Sequence, residues 1–184
     1  MARVFMVRHG KAAAGFGGAM DPGLDDAGQA QADAAAKTLA PLGPLKILTS
    51  PLLRTRQTAA PLAELWQRTP EVEEAVAEIP SPEGMTLEKR VLWLRKLMEG
   101  SWRDVNLRLG QWRENVIASL LAQREDCVIF SHYVAINVAA GAAAGDDRIL
   151  VFSPDNCSVT VFETRDGALT LVEKGREADL TRVN

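Results

Sequence analysis

Residues that form disulfides or anchor a chain in a membrane are scarce in this sequence. The 184 residues include two cysteines, and aromatic side chains make up 5%. Cys127 and Cys157 lack a Cys-x-x-Cys partner and fall within apolar or β-like segments, so we expect two buried free thiols. No apolar run approaches the roughly 20 residues of a membrane-spanning helix, and the N-terminus lacks a secretory signal pattern. These absences predict a cytoplasmic protein without a membrane partner.

An excess of positive charge is also missing. Lys and Arg number 21 against 24 Asp and Glu, which leaves a net charge of −3. A general nucleic-acid binder needs Lys and Arg dense enough to engage several phosphates, so we expect no nucleic-acid partner. The apolar fraction of 47% and the length predict a single domain over residues 1–184, because no repeat or low-complexity linker divides the chain.

Strand and helix patterns alternate along most of the chain. Short apolar runs predict strands, and apolar residues at helical spacing predict helices between them. The predicted strands cover 4–7, 45–49, 71–76, 127–130, 149–152, 158–163 and 168–173. The predicted helices cover 27–39, 54–66, 86–98, 105–121 and 135–144. This order predicts a three-layer α/β/α fold with a central, mostly parallel sheet and a C-terminal antiparallel hairpin.

Three local features refine these boundaries. Asp25 or Asp26 is expected to cap the first helix. Pro61 is expected to kink or divide the second helix. The glycine-rich segment 11–23 predicts a mobile loop over the edge of the sheet.

Polar side chains follow three of the predicted strands. Arg8 and His9 come directly after the first strand, residues 50–54 follow the second, and His132 follows the strand 127–130. The carboxyl ends of parallel strands lie at one edge of a sheet, where α/β proteins bind ligands. Because both histidines of the chain occupy such positions, we expect them to converge on one site.

Imidazoles and guanidiniums around one point suit a phosphate group. Arginines bind phosphate oxygens bidentately, and a neutral imidazole can attack phosphorus. A carboxylic acid must then protonate the leaving oxygen. The candidate carboxylates cluster in one segment and are Glu71, Glu73, Glu74, Glu78 and Glu83.

Short motifs at these positions resemble those of the histidine phosphatase superfamily, also called phosphoglycerate-mutase-like. RHG at 8–10 is similar to the family signature in which the histidine becomes transiently phosphorylated. LDDAGQAQA at 24–32 is similar to the Leu-Thr-x-x-Gly-x-x-Gln-Ala start of a family helix, with Asp25 in place of Thr. SPLLRTRQTA at 50–59 closely matches the segment whose arginine binds phosphate, which selects Arg54 rather than Arg56. The resemblance runs from residue 4 to the final hairpin.

The resemblance implies a two-step displacement that needs no metal ion or other cofactor. His9 would attack the phosphoryl group. Arg8, Arg54 and His132, which stands at the place of the second family histidine, would hold its oxygens. Glu78, which follows the third predicted strand, would protonate the leaving group and later activate water. No spare histidine is left to ligate a metal.

Three positions depart from the family pattern. Tyr133 stands where Gly commonly follows the second histidine, so its ring narrows the site while its backbone N–H can still donate to phosphate. Lys11 occupies a position that is often acidic, polar or small, and would add a cation near the substrate. Residues 79–82 lack the Gly and Trp pattern of the family, so Glu78 competes with the neighbouring carboxylates as the proton donor.

The expected activity is hydrolysis of a phosphomonoester in a small phosphorylated molecule or a phosphoprotein. The family spans too many substrates for a fold-level match to choose among them. One alternative is a mutase, although the chain is short for the extra segments that retain a bisphosphorylated intermediate. A second alternative is a phospho-ligand or protein-binding module that keeps the pocket without turnover.

Overall fold

A six-stranded sheet forms the centre of the molecule. The computed structural model describes residues 1–13 and 21–179. Its strands are β1 Ala2–Arg8, β2 Lys46–Thr49, β3 Glu71–Val72, β4 Cys127–Ser131, β5 Val159–Arg165 and β6 Ala168–Glu173. They lie in the order β3-β2-β4-β1-β5-β6. β1 to β4 pair in parallel, whereas β5 is antiparallel to both β1 and β6. The predicted mostly parallel sheet with an antiparallel C-terminal hairpin is confirmed.

Helices cover both faces of this sheet. They are α1 Asp26–Leu39, α2 Leu53–Trp66, α3 Leu87–Met98, α4 Leu107–Leu121 and α5 Tyr133–Ala144. Alternation along β1 separates the two layers, because successive side chains of a strand point to opposite faces. Phe5 and Val7 belong to the apolar cluster under α1 and α2, whereas Val4 and Met6 belong to the cluster under α4 and α5. The three-layer α/β/α arrangement is therefore confirmed. Within the described residues, no helix is both long and apolar enough to cross a bilayer.

The start of α1 packs closely against the segment that follows β1. Asp25 is the residue that caps the helix, and its Oδ1 accepts a hydrogen bond from the Gly28 N–H at 2.7 Å. A Cβ atom on Gly10 would lie 2.6 Å from the Gly28 carbonyl oxygen, and one on Gly28 would overlap the Lys11 backbone. This approach therefore requires glycine on both sides, and it fixes the backbone directly after His9.

Two of the predicted strands are wrong in part or in full. β3 ends at Val72, and residues Glu74–Val76 form a 3₁₀ turn because the Glu73 carboxylate accepts a hydrogen bond from the Ala75 N–H at 3.0 Å. Residues 149–152 form no strand. The N–H groups of Val151 and Phe152 both donate to a side-chain amide oxygen, at 2.9 and 3.1 Å, and are lost to any ladder.

Three further expectations have different outcomes. Pro61 does not divide α2, which is helical from Leu53 to Trp66. Both cysteines are free thiols, but Cys157 is only half-buried, whereas Cys127 is fully buried in β4. The loop expected at 11–23 falls largely on residues 14–20, which lie outside the described residues.

The buried side chain of Asn137 ties α5 to the segment that precedes β5. Its Oδ1 accepts from Val151 and Phe152, and its Nδ2 donates to the Tyr133 carbonyl oxygen at 3.0 Å. We expect Asn137→Ala to lower the free energy of unfolding by about 3 kcal/mol, because two backbone N–H groups lose their acceptor. Urea denaturation measures this change.

The control for this substitution is Asn115→Ala, which removes an exposed hydrogen bond on α4. It should alter the free energy of unfolding by less than about 0.5 kcal/mol. If Asn137→Ala were as mild as this control, the amide would not be the link that holds the segment 151–152.

Candidate active site

The five side chains expected from the sequence to converge lie around one end of the sheet. Arg8 ends β1 and His9 follows it, Arg54 lies in the first turn of α2, and His132 stands between β4 and α5. Glu78 follows the 3₁₀ turn Glu74–Val76. The two imidazole ring centroids are 5.3 Å apart. Arg54 Nη2 lies 3.3 Å from Glu78 Oε2 and 3.4 Å from His132 Nδ1.

Backbone contacts hold His9 in one orientation. Its Nδ1 lies 2.7 Å from the Gly10 carbonyl oxygen, which can only accept, so Nδ1 carries the proton. The lone pair of the neutral ring is therefore on Nε2. The His9 N–H donates to the Ser131 carbonyl at 3.0 Å, and Asn156 Nδ2 donates to the His9 carbonyl at 2.9 Å. A histidine in this state is prepared to act as a nucleophile through Nε2.

Both imidazoles are held neutral. Burial is the main cause that lowers the pKa of His9 to about 3, and the neighbouring His132, Arg54 and Arg8 side chains act in the same direction. The hydrogen bond to Gly10 opposes them. Burial also places the pKa of His132 well below its usual range, with Arg54 and Arg8 adding to the effect. Near neutral pH, the positive charge of this group of side chains therefore comes from the arginines.

Ser50 orients the second imidazole and was not singled out in the sequence, although it begins the 50–59 motif. Its Oγ lies 2.7 Å from His132 Nε2. Arg54 can only donate, so its contact with His132 Nδ1 leaves the ring proton on Nε2, which donates to Ser50 Oγ. Ser50 Oγ also accepts from the Leu52 N–H at 3.3 Å. The fully buried ring of His132 is thus fixed on both nitrogens.

Arg8 is held from two sides. Its Nη1 donates to the Pro154 carbonyl oxygen at 2.9 Å, and its guanidinium carbon lies 4.9 Å from the centroid of the Tyr133 ring. The Tyr133 hydroxyl donates to Ser153 Oγ at 3.0 Å. Burial lowers the pKa of Arg8, and within the described part of the chain its buried Nε has no hydrogen-bond partner.

Arg54 already contacts two carboxylates. Its Nη1 lies 3.7 Å from Asp21 Oδ1, and Asp21 also accepts from the Leu53 N–H at 3.0 Å at the start of α2. Glu78 lies on the other side of the guanidinium, and its Oε1 accepts from the Ile79 N–H at 3.2 Å. The side chain of Glu78 is 17% exposed. Solvent and a ligand can therefore reach this carboxyl group.

Three other residues predicted near the site have partners elsewhere. Glu71 pairs with Lys46 at 3.1 Å, and Glu73 accepts from the Ala75 N–H in the 3₁₀ turn. Lys11, expected as a cation near the substrate, pairs with Asp25 Oδ2 at 3.1 Å and is 61% exposed. Of the acidic cluster 71–83, it is Glu78 that contacts both Arg54 and His132 in the described structure.

Three of the site residues also lie close enough together to hold a metal ion. His9, Glu78 and His132 each offer one ligand atom, and these atoms lie within 4.8 Å of one another. However, Arg54 Nη2 is already within 3.4 Å of the Glu78 and His132 atoms concerned. The nearby Arg8 and Arg54 charges repel a cation and attract an anion. The electrostatics of the pocket therefore favour an anion over a metal ion.

Comparisons with known proteins identify the family of this chain. The sequence matches the histidine phosphatase superfamily (branch 1) over residues 4–176, and the chain belongs to that family. A curated relative, PE-PGRS family protein PE_PGRS11 of Mycobacterium tuberculosis, is 44% identical over 79 residues. The matched segment is 40% of this chain and spans only 14% of that protein.

Solved structures share the fold. A mycobacterial glucosyl-3-phosphoglycerate phosphatase has a TM-score of 0.75 at 21% identity, over 97% of this chain and 100% of that chain. Bacillus stearothermophilus YhfR has a TM-score of 0.77 at 18% identity, over 97% and 98%. A mutant phosphoserine phosphatase from Entamoeba histolytica, in complex with phosphoserine, has a TM-score of 0.72 at 22% identity, over 94% and 96%.

The lowered pKa of His9 should make the stability of the fold depend on pH. Above pH 6.5, His9 is neutral in the folded and the unfolded chain. Below pH 6.5, the unfolded chain takes up a proton that the folded chain excludes down to about pH 3. The free energy of unfolding should therefore fall as the pH decreases, with His9 alone contributing about 2 kcal/mol of loss by pH 5.

Urea denaturation of the parent and of His9→Asn at pH 7 and pH 5 isolates this contribution. The difference in unfolding free energy between the two proteins should shift by about 2 kcal/mol in favour of the variant at pH 5. Asn115→Ala serves as the control, and its difference from the parent should not change with pH. A constant difference for His9→Asn would show that His9 is not held neutral by the fold.

Proposed function

We propose that this member of the histidine phosphatase superfamily hydrolyses a phosphomonoester through a phosphohistidine intermediate on His9, without a metal ion. The bond from His9 Nδ1 to the Gly10 carbonyl oxygen is the observation that carries the proposal, because it leaves the lone pair on Nε2. A neutral imidazole so oriented is a nucleophile. The phosphatase names of two structural neighbours support the same reaction class.

In the first step, His9 Nε2 attacks phosphorus. The new N–P bond forms as the P–O bond to the leaving group breaks, and the electron pair of that bond goes to the leaving oxygen. Glu78 donates a proton to this oxygen, so that a neutral alcohol departs. Arg8 and Arg54 offset the charge on the transferring oxygens, since their guanidinium N–H groups suit phosphate geometry.

In the second step, water attacks the phosphohistidine. Glu78, now a carboxylate, accepts a proton from the water as the new P–O bond forms. The N–P bond breaks, and its electron pair returns to Nε2 of a neutral His9. Phosphate leaves, and Glu78 holds the proton for the next cycle. Every proton that the reaction needs is thus supplied by one carboxyl group and water.

The contact between Arg54 and Glu78 connects binding to proton transfer. Arg54 Nη2 donates to Glu78 Oε2 at 3.3 Å. A phosphate group competes for the same N–H group and brings negative charge to Glu78. The carboxyl group released from Arg54 is then available to donate its proton to the leaving oxygen. His132 Nδ1, at 3.5 Å from Glu78 Oε2, lies on the same side of the carboxyl group.

The proposed substrate is a small phosphorylated molecule. The neighbouring structures named for phosphoserine and glucosyl-3-phosphoglycerate support small substrates over a phosphoprotein. The pocket offers guanidiniums for the phosphate and one carboxyl group for the leaving oxygen. These groups serve any phosphomonoester, so the phosphate site alone does not select the alcohol.

Phosphate release from p-nitrophenyl phosphate and a panel of small phosphomonoesters, in the presence of a chelator, tests the proposal. The parent should turn over, and His9→Ala should lose activity by at least about 1,000-fold because the nucleophile is gone. Acid quenching during turnover should trap an acid-labile phosphoryl group in the parent and none in His9→Ala. Circular dichroism checks that the variant is folded.

Each other outcome has a definite meaning. Activity that is lost with chelator and restored by a metal ion would overturn metal independence. Turnover by His9→Ala at the parental rate would exclude His9 as the nucleophile. Ligand binding without turnover across the panel would instead indicate a phospho-ligand binding module. Transfer of the phosphoryl group to a second hydroxyl rather than to water would indicate a mutase.

The role of Glu78 predicts a dependence on the leaving group. Glycerol 3-phosphate has a poorly leaving alcohol that needs a proton, whereas p-nitrophenol leaves readily as the anion. Glu78→Gln should therefore slow release of glycerol in a single turnover by at least about 100-fold, and release of p-nitrophenol far less. The single-turnover measurement by rapid quench excludes the water-activating step, which both substrates share.

Glu83→Gln and Glu74→Gln are the matched controls, since both are neighbouring carboxylates of the same cluster. Neither substitution should separate the two substrates. If Glu78→Gln slowed both leaving groups equally, or if a control variant produced the selective loss, Glu78 would not be the proton donor.

A further inference from the structure

The side chain of Tyr133, the first residue of α5, lies against the guanidinium of Arg8. The guanidinium carbon is 4.9 Å from the centroid of the ring, a separation at which a cation is attracted to the face of an aromatic ring. At the other end of the side chain, the hydroxyl donates to Ser153 Oγ at 3.0 Å. The ring therefore cannot turn away from Arg8 without losing this hydrogen bond.

The partner of the hydroxyl is the chain neighbour of the second residue that holds Arg8. Ser153 precedes Pro154, and the Pro154 carbonyl oxygen accepts a hydrogen bond from Arg8 Nη1 at 2.9 Å. Tyr133 thus contacts Arg8 directly through its ring and is tied, through its hydroxyl, to the segment that supplies this carbonyl group. The two contacts that orient the guanidinium are therefore linked to each other.

The two arginines of the pocket are held in different ways. Arg54 lies 3.3 Å from Glu78 and 3.7 Å from Asp21, whereas no ion pair among residues 1–13 and 21–179 includes Arg8. A carboxylate that orients an arginine also competes with phosphate for its N–H groups and its charge. An aromatic ring and a carbonyl oxygen carry no formal charge. They orient Arg8 and leave its positive charge available to an anion.

We propose that Tyr133 is a positioning residue, which keeps Arg8 in the orientation in which it binds the phosphoryl group. The ring lies on the guanidinium, and the bond to Ser153 keeps the ring in place. Glycine, which commonly follows the second histidine in the family, has no side chain for either contact, so this arrangement is a property of this chain. The inference rests on the proposed function for the role of Arg8, but phosphate binding can be measured without turnover.

Isothermal titration calorimetry of the full-length protein with inorganic phosphate tests the role of the ring. Tyr133→Leu should bind phosphate about 10-fold more weakly than the parent, because Arg8 loses the aromatic face on which it lies. Tyr133→Phe keeps the ring and loses only the hydroxyl, so its phosphate affinity should remain within about 3-fold of the parent. Rescue by Phe but not by Leu would assign the effect to the aromatic face.

The same titration tests the hydroxyl bond through its acceptor. Ser153→Ala should weaken phosphate binding as little as Tyr133→Phe does, because each substitution removes one partner of a single hydrogen bond. The double variant Tyr133→Phe/Ser153→Ala should bind phosphate no more weakly than either single variant, since the bond can be lost only once. Additive losses would show that the hydroxyl does not act through Ser153.

A double-mutant cycle with Arg8→Gln separates positioning from a general structural role. Without the guanidinium the ring has nothing to position, so in this background Tyr133→Leu should change phosphate affinity by less than about 2-fold. NMR chemical shifts follow binding at the high phosphate concentrations that these variants need. Trp112→Leu is the matched control, because it also replaces an aromatic ring by Leu, in the packing against Trp102. It should lower the free energy of unfolding and leave phosphate affinity within about 2-fold of the parent.

The outcomes distinguish this inference from the proposed function. No phosphate binding by the parent, parental affinity in Tyr133→Leu, equal losses in the Leu and Phe variants, or a loss that persists without Arg8 would overturn the positioning role. Phosphate binding that depends on the Tyr133 ring and on Arg8, in a parent that hydrolyses no phosphomonoester, would support the positioning role and overturn the phosphatase. Hydrolysis by the parent, with unchanged phosphate affinity in Tyr133→Leu, would do the reverse.

Discussion

The hydrogen bond from His9 Nδ1 to the Gly10 carbonyl oxygen determines what the other groups of the site can do. It assigns the ring proton to Nδ1 and leaves the lone pair on Nε2, the atom through which a neutral imidazole can act as a base or a nucleophile. The bond requires the Gly10 carbonyl to be held still, and the close packing of Gly28 against Gly10 does this. A side chain at either glycine would push α1 away from the segment after β1. The packing at the capped start of α1 therefore also determines the orientation of the His9 ring.

The charge balance of the site follows from burial of two neutral rings beside two guanidiniums. Each arginine has part of its hydrogen-bonding capacity satisfied by the protein: Arg8 by Pro154, and Arg54 by Glu78 and Asp21. Arg8 is not fully satisfied, since its Nε is buried without a partner in the described residues. An anion between Arg8 and Arg54 would be attracted by both guanidiniums, and desolvation makes such an interaction stronger than it would be in water. The two guanidiniums therefore make this buried pocket favourable for a negatively charged group.

Sequence patterns predicted the convergence of distant groups better than they predicted local backbone. The parallel strands and their polar ends required only apolar runs and the rule that such ends share an edge, so Arg8, His9 and His132 could be placed together. The 3₁₀ turn after β3 and the irregular segment 149–152 depend on single side chains, Glu73 and Asn137, that capture backbone N–H groups. The spacing of apolar residues does not predict hydrogen bonds between a side chain and the backbone. Ser50 contacts His132, and Asn156 contacts the His9 carbonyl, through tertiary packing, which spacing along the chain does not encode.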